Sequence, residues 1–289
     1  MTDYVEIKAP AKINLALDVT GVREDGYHEV SMIMQSIRLS DRVTIRRTAR
    51  PGIVLKTNLP YLPTGKGNLA YDAADLFLKE TGIPAGVHIE VEKNIPVAAG
   101  LAGGSTDAAA VLCGMNELFE TGWSEEILCE KGLRLGADVP FCILGGTALA
   151  EGIGEKLTRL PNAPGFHVLL VKPDRGVSTK EVYGRLRLNE ETVHPDVPGM
   201  IRAIEAQDRL KLAAGLSNVL EPVTKELCPE IEEIERQMKS FGCEGVRMSG
   251  SGPTVFGLFA DRGRATAAYM HFKIGQYASR TFLTEFLPA

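Results

Sequence analysis

The chain has no excess of positive charge, no paired-cysteine motif and no long apolar run, and each absence closes off a class of function. Its 289 residues carry 32 Lys and Arg against 37 Asp and Glu, a formal net charge of −5. Nucleic acid and anionic membrane surfaces call for the opposite sign, so neither is an expected partner. The densest basic spot is Arg46-Arg47, which reads as solvated surface. The five cysteines (113, 129, 142, 228 and 243) are odd in number and form no Cys-x-x-Cys pair. They read as reduced thiols in a cytosolic protein, ahead of metal ligands or disulfides. The longest apolar stretch, residues 140–150, contains two glycines and falls well short of the roughly 20 residues that span a bilayer. The first residues, MTDYVEIKAPAK, lack a basic region followed by an apolar run, so no signal peptide is expected. The expectation is a soluble, cytoplasmic protein of one large domain or two modest ones.

What is present is an α+β pattern. In residues 12–19 alternation puts Ile13, Leu15, Leu17 and Val19 on one strand face and Lys12, Asn14 and Asp18 on the other. Val43 and Ile45, followed across the Arg-Pro-Gly turn at 50–52 by Ile53 and Leu55, predict a further antiparallel pair. Asn68 is placed to cap a helix running through Ala73, Phe77 and Leu78. Residues 87–92 alternate as a strand, and Ala108, Leu112, Met115 and Phe119 recur at helical spacing. Ser124 opens another helix that ends near Gly136, and an apolar strand is expected from Phe141 to Leu149. The segment 161–165, Pro-Asn-Ala-Pro-Gly, is the most linker-like. Beyond it come a strand at 168–171, a capping box Ser178-x-x-Glu181 and a helix from Pro229 to Gly242. A second glycine-rich loop, MSGSGPT at 248–254, leads into a strand at 255–259, and a last strand is expected near 281–283.

Between the strand at 87–92 and the helix at 108–119 lies Pro96-Val97-Ala98-Ala99-Gly100-Leu101-Ala102-Gly103-Gly104-Ser105-Thr106. No Gly-Lys-Ser/Thr follows, and the glycines do not have Gly-x-Gly-x-x-Gly spacing. A strand–glycine loop–helix still presents backbone amides and a positive dipole end to an anion, with Ser105 or Thr106 as the expected N-cap. Such a helix end supplies only about half an elementary charge. A phosphate chain therefore needs a metal ion or a lysine as well, and phosphoryl-transfer sites commonly use Mg²⁺. Thr106 or Ser105 could offer that ion a hydroxyl, with phosphate and water completing it. Lys12 beside Asn14, and Asp138 in Gly-Ala-Asp-Val-Pro at a helix-to-strand junction, form a second constellation. Taken alone, they read as a surface lysine and a turn residue, and periodicity does not bring them together. In Arg23-Glu-Asp-Gly-Tyr-His28, Tyr27 could stack on a planar ring and His28 could bond its edge. A plain polar turn accounts for the same residues. His88, His167, His194 and His271 lack metal-ligand spacing and are read as structural or surface residues.

Five segments, APAKINLALDV, GYHEV, IPVAAGLAGGSTDAA, LGADVPFCILGG and MSGSGPTVFGLF, in this order and spacing, closely resemble the GHMP small-molecule kinases. The resemblance runs from Pro10 to about Phe259. It implies a two-domain fold: a ribosomal-protein-S5-like domain over 1–160, and a ferredoxin-like domain over 161–289 that closes the substrate cleft. It implies ATP as phosphoryl donor with Mg²⁺. The acceptor it implies is a small molecule carrying a cytidine diphosphate group, phosphorylated at the 2-hydroxyl of its methylerythritol moiety in non-mevalonate isoprenoid biosynthesis. On the same grounds Asp138 takes the catalytic-base position with Lys12 as its partner. Pro96 through Thr106 takes the ATP-phosphate loop, and Asn68 an adenine contact. Tyr27 and His28 fall at the cytosine site, Tyr183 at its other face, and Asn14 near the acceptor sugar. The family more often has Ser-Ser where this chain has Ser105-Thr106, and Phe also occurs where it has Tyr183; hydroxyl and stacking face are kept. The metal ligands are left open, and a monomer or weak homodimer is expected. Another kinase of the family, acting on homoserine, mevalonate or a sugar, is the near alternative. A nucleotide-sensing protein without catalysis is the distant one.

Overall fold

Alternating apolar residues near the start of the chain build two long strands, β1 (Tyr4–Val22) and β2 (His28–Thr48), in the computed structural model. The structure describes residues 3–24 and 26–289; Met1, Thr2 and Asp25, the last within the 23–28 turn, lie outside the described residues. There follow β3 (Gly52–Thr57), α1 (Leu69–Thr81), β4 (Gly86–Glu92), α2 (Gly103–Phe119), α3 (Glu125–Leu133), α4 (Val139–Leu144), β5 (Thr147–Gly152) and β6 (Lys156–Arg159). The remainder is β7 (His167–Val171), α5 (Thr179–Arg185), α6 (Val197–Glu205), α7 (Arg209–Ala214), β8 (Ser217–Asn218) and α8 (Glu221–Leu227). After these come α9 (Glu230–Ser240), β9 (Gly245–Met248), β10 (Val255–Phe259), α10 (Arg262–Lys273) and β11 (Thr281–Glu285).

The chain packs into two compact units that interleave in sequence. The first comprises Met1–Ala11, Leu39–Val97 and Ala102–Leu144; the second comprises Lys12–Arg38, Ala98–Leu101 and Gly145–Ala289. In the first unit the second half of β2 pairs antiparallel with β4, and β3 pairs parallel with β4. The expected antiparallel pairing of β3 with the 43–45 strand is therefore corrected. The helix α1 stands between β3 and β4, and a strand–helix–strand crossover delivers the second strand parallel to the first. Val43, Ile45, Leu55, Phe77, Ile89 and Leu112 lie in one buried core with the small face of α2. Asn68 caps α1 as expected, its side chain accepting the Ala70 amide at 3.0 Å.

Two local expectations fail in this unit. The apolar run from Phe141 is not a strand: α4 takes 139–144, and the left-handed pair Gly145 and Gly146 separates it from β5. A run buried throughout carries no periodicity to choose between helix and strand, and Pro140 fits a first helical turn. Asp138 accordingly stands at a helix-to-helix junction rather than a helix-to-strand one. Nor is Ser105 or Thr106 the cap of α2. The helix starts earlier, from Ala102 in the left-handed region, and has no side-chain cap.

In the second unit the first half of β2 pairs antiparallel with β5, β5 with β6, and β1 runs parallel to β8. A four-stranded antiparallel sheet in the order β11-β7-β10-β9 holds Val168–Val171 and Val255–Phe259 buried. The Ser178 cap on α5, the Pro229 start of α9 and the loop into β10 stand as read from sequence. Burial pushes the thiols of Cys113 and Cys243 up to about 11 and that of Cys228 to about 12, so these three stay protonated at neutral pH. Among the described residues no helix is long and apolar enough to cross a membrane.

Candidate active site

The polar face of β1 is not a solvent face. Lys12 is 5% exposed and Asn14 is 1% exposed. The Lys12 ammonium donates to Asn14 Oδ1 at 2.8 Å, and Asn14 Nδ2 donates to Met32 Sδ at 3.4 Å. A lysine buried to this degree needs such acceptors, because desolvating an ammonium is costly unless it is paired and hydrogen-bonded. Further along the same face, buried Asp18 meets His194 Nδ1 at 2.7 Å. That contact gives one of the four set-aside histidines a structural anchor.

The middle of the glycine loop lies in the second unit with these residues. The Lys12 amide donates to the Leu101 carbonyl at 3.2 Å. Gly100 has φ +74, and a Cβ placed on it would stand 2.2 Å from the Ser249 carbonyl oxygen. Ser249 Oγ donates to the Gly100 carbonyl at 2.9 Å. A Cβ on Gly250 would meet that carbonyl at 3.1 Å and Asn14 Oδ1 at 3.6 Å. The two glycine-rich loops thus pack backbone to backbone beside Lys12 and Asn14, an approach no side chain would allow. Buried Asn218 pins the second loop: its Nδ2 donates to the Met248 and Gly250 carbonyls at 2.8 and 2.9 Å. Glu221 accepts the Met248 amide at 2.8 Å.

The end of the loop lies in the first unit. Since α2 has no side-chain cap, its leading amides are left to an external acceptor. Gly104 is exposed there, whereas Asn68 and Ser124 cap α1 and α3. A Cβ on Gly104 would meet only Leu69 Cδ1, at 3.5 Å, which sets the start of α1 beside the loop. Asn68 spends one donor on the Pro63 carbonyl at 2.8 Å and one lone pair on Ala70, so one of each remains for a base. Ser105 Oγ lies 4.0 Å from a Cβ built on Gly136, bringing the loop next to the Gly136–Asp138 turn. Thr106 Oγ1 is buried and without a hydrogen-bond partner. Of the two hydroxyls considered, the half-buried Ser105 is the one a ligand can reach. Asp138 is half-buried, and its carbonyl accepts the Cys142 amide at 3.1 Å to start α4.

At the 23–28 turn, Tyr27 is 61% exposed, and the rings of His28 and Tyr183 touch with centroids 4.9 Å apart at 50°. A ring held between two others separates their centroids by about 7 Å, twice a carbon contact distance. No base therefore fits between His28 and Tyr183 as they stand, and Tyr27 is the exposed ring of the three. The structure brings Tyr183 to His28 across 155 positions of sequence, an association that no local pattern carries.

Sequence reading missed one group of charges. Lys93 donates to Asp41, to Asp107 at 2.5 Å and to the Gly103 carbonyl at 3.2 Å. The side chains of Lys93, Asp41 and Asp107 are 5, 0 and 8% exposed. Asp41 also accepts the amides of Asn94 and Ile95. The available signal was a lone acid, Asp107, among the small buried residues of α2. Burial, against the pull of Lys93 and helped by the charge of Asp41, raises the Asp107 carboxyl to about 7. The folded chain then keeps a proton that the unfolded chain has already released. This contribution to stability is complete below the ordinary carboxylate range and is lost as pH rises through about 7. Asp107→Asn is expected to flatten that decline. Urea unfolding at pH 5 and pH 8 should show a smaller difference for the variant than for the parent; an equal difference would rule Asp107 out as its source.

Residues 68–146 match the model of the GHMP kinases N terminal domain, and residues 200–273 that of the GHMP kinases C terminal domain. A 4-diphosphocytidyl-2-C-methyl-D-erythritol kinase of Lachnoclostridium phytofermentans is 54% identical over 284 residues, 98% of either chain. The protein of the same name from Acetivibrio thermocellus is 50% identical, covering 95% of this chain and 97% of its own. A crystal structure of 4-(cytidine 5'-diphospho)-2C-methyl-D-erythritol kinase superposes with a TM-score of 0.84 at 35% identity over 99% of this chain and all of that one. A homoserine kinase from Cytophaga hutchinsonii, at 20% identity and TM-score 0.80 over 100% of this chain and 95% of its own, shares the fold.

Proposed function

The chain belongs to the GHMP kinase family, and from that premise we propose that it transfers the γ-phosphate of ATP to the 2-hydroxyl of 4-diphosphocytidyl-2-C-methyl-D-erythritol. The products are the 2-phosphate and ADP. The observation that carries this reading is near-identical length and about half-identical sequence to kinases of that name. In this scheme the hydroxyl oxygen bonds to the γ-phosphorus as the bond to the β-phosphate bridging oxygen breaks, and the hydroxyl proton passes to the Asp138 carboxylate. Lys12 balances the negative charge that develops at the acceptor, and Asn14 orients the sugar. The uncapped start of α2, the loop Pro96 to Thr106 and its glycines receive the phosphates, with Asn68 toward the adenine. Mg²⁺ would neutralise phosphate charge, held by phosphate oxygens, water and the Ser105 hydroxyl. Tyr27, His28 and Tyr183 recognise the cytosine. The division of labour places loop, base and lysine within 1–160 and Tyr183 within 161–289, in a cytoplasmic protein.

Turnover of ATP against a panel of 4-diphosphocytidyl-2-C-methyl-D-erythritol, homoserine and mevalonate tests the assignment. Phosphate should appear only with the first, at its 2-position by ³¹P NMR. Turnover of another acceptor instead would move the chain elsewhere in the family, and ATP binding without turnover would make it a sensor. Tyr27→Ala separates the two ligands. Losing one stacked ring, about 1–3 kcal/mol, should raise the acceptor KM by about 5- to 150-fold and leave the ATP KM nearly unchanged. Equal losses for both ligands would make Tyr27 structural.

A further inference from the structure

Lys93 takes no part in the transfer just described, yet it joins four segments of the first unit around the two ends of the phosphate loop. Its backbone is clamped by one side chain: the Lys93 amide donates to Asn58 Oδ1 at 2.8 Å, and Asn58 Nδ2 donates to the Lys93 carbonyl at 3.1 Å. That fixes the connection after β3 to the end of β4. Its ammonium reaches Asp41, which holds the amides at 94 and 95 where the loop begins, and Asp107, one turn into α2. The third bond, to the Gly103 carbonyl at 3.2 Å, falls at the start of the helix. A Cβ on Gly103 would stand 3.4 Å from Lys93 Nζ, so the glycine keeps that carbonyl open to the lysine.

The peptide group is planar, and its C=O and N–H point in opposite directions. A cation bound to the Gly103 oxygen therefore aims the next amide, that of Gly104, away from itself and toward whatever lies beyond the helix end. It also polarises that amide as a donor, because charge-assisted hydrogen bonds strengthen along a chain. We propose that Lys93 is a positioning residue for the phosphates of ATP, fixing the Gly103–Gly104 peptide plane through its carbonyl while Asp41 and Asp107 hold the ammonium in place. The lysine that a phosphate loop ordinarily lends to its ligand here stands behind the backbone. This inference rests on the assignment of the loop to ATP.

The test uses the full chain and the non-hydrolysable analogue AMP-PNP. Lys93→Met removes the charge and keeps most of the volume, Lys93→Arg restores a charge, and Asn58→Ala loosens the clamp from an exposed position. Calorimetric Kd for AMP-PNP should rise about tenfold or more in Lys93→Met and about threefold in Asn58→Ala, with Lys93→Arg nearer the parent. The acceptor KM should stay within about twofold in each. If Lys93→Met yields no folded protein, Asn58→Ala decides. An unchanged nucleotide Kd in the folded variants, or an acceptor KM that rises as far as the nucleotide Kd, overturns the proposal. A parent chain that fails to bind AMP-PNP overturns the ATP assignment and this inference with it, whereas a binding parent with unaffected variants overturns this inference alone.

Discussion

Asp138→Asn is expected to lower kcat by about 10²- to 10⁴-fold while leaving the Kd for AMP-PNP and the melting temperature close to those of the parent. The backbone at this position is defined by main-chain bonds that asparagine keeps. The Val139 amide donates to the Gly136 carbonyl, and the Cys142 amide to the Asp138 carbonyl, each at 3.1 Å. Val139, Pro140 and Phe141 then bury themselves as the first turn of α4, anchoring the junction from one side. Asparagine has nearly the same size and suits the same turn, so the substitution removes the carboxylate charge and, with it, the proposed capacity to accept the proton of the attacking hydroxyl. A loose transition state puts less demand on that capacity, because the proton leaves late and positioning carries more of the acceleration. The size of the loss therefore discriminates. A fall in kcat of less than about tenfold would lie below the range of general-base assistance and would leave Asp138 an orienting role at most.

The sequence was most legible where chemistry is local. Asn68 before α1, Ser178 before α5 and the strand alternation at 87–92 act within a few residues of themselves, and each stands in the structure as read. Uniform burial defeated the reading at α4, since a run apolar on every side has no face to reveal its period. The start of α2 was misplaced for a chemical reason. Capping preference favours a hydroxyl, but this helix begins on a left-handed alanine, and its amides stay available for another acceptor. The parts of the site that were illegible join residues far apart. Lys93 reaches Asp41 across 52 positions, and Asn218 reaches the second glycine loop across 30 and 32. Lys12 and Asn14 could be placed on one strand face, yet nothing in the alternation said that this face is buried.

Two glycines of the same loop are expected to respond in opposite ways to alanine, and the contrast separates architecture from recognition. At Gly100 a methyl group would have to occupy space 2.2 Å from the Ser249 carbonyl oxygen and 3.2 Å from the Gly252 amide, on a backbone with φ +74. The left-handed conformation alone costs about 1–3 kcal/mol, and the clash with main chain leaves no flexible side chain to give way. Gly100→Ala should therefore destabilise the protein by about 2–4 kcal/mol in urea unfolding and raise the ATP KM about tenfold or more as the loops part. Gly104 is helical, exposed and within 4 Å only of Leu69 Cδ1. Alanine is the better helix former there, so Gly104→Ala should be neutral or stabilising by up to about 1 kcal/mol. Its methyl group would nevertheless stand beside the amide that Lys93 is proposed to aim, in the path of an approaching phosphate. A stable Gly104→Ala protein with an AMP-PNP Kd raised about tenfold would mean that this glycine serves the ligand and not the fold. An unchanged Kd would remove the Gly104 amide from phosphate recognition and leave Gly100, with its partner loop, as the structural centre of the site.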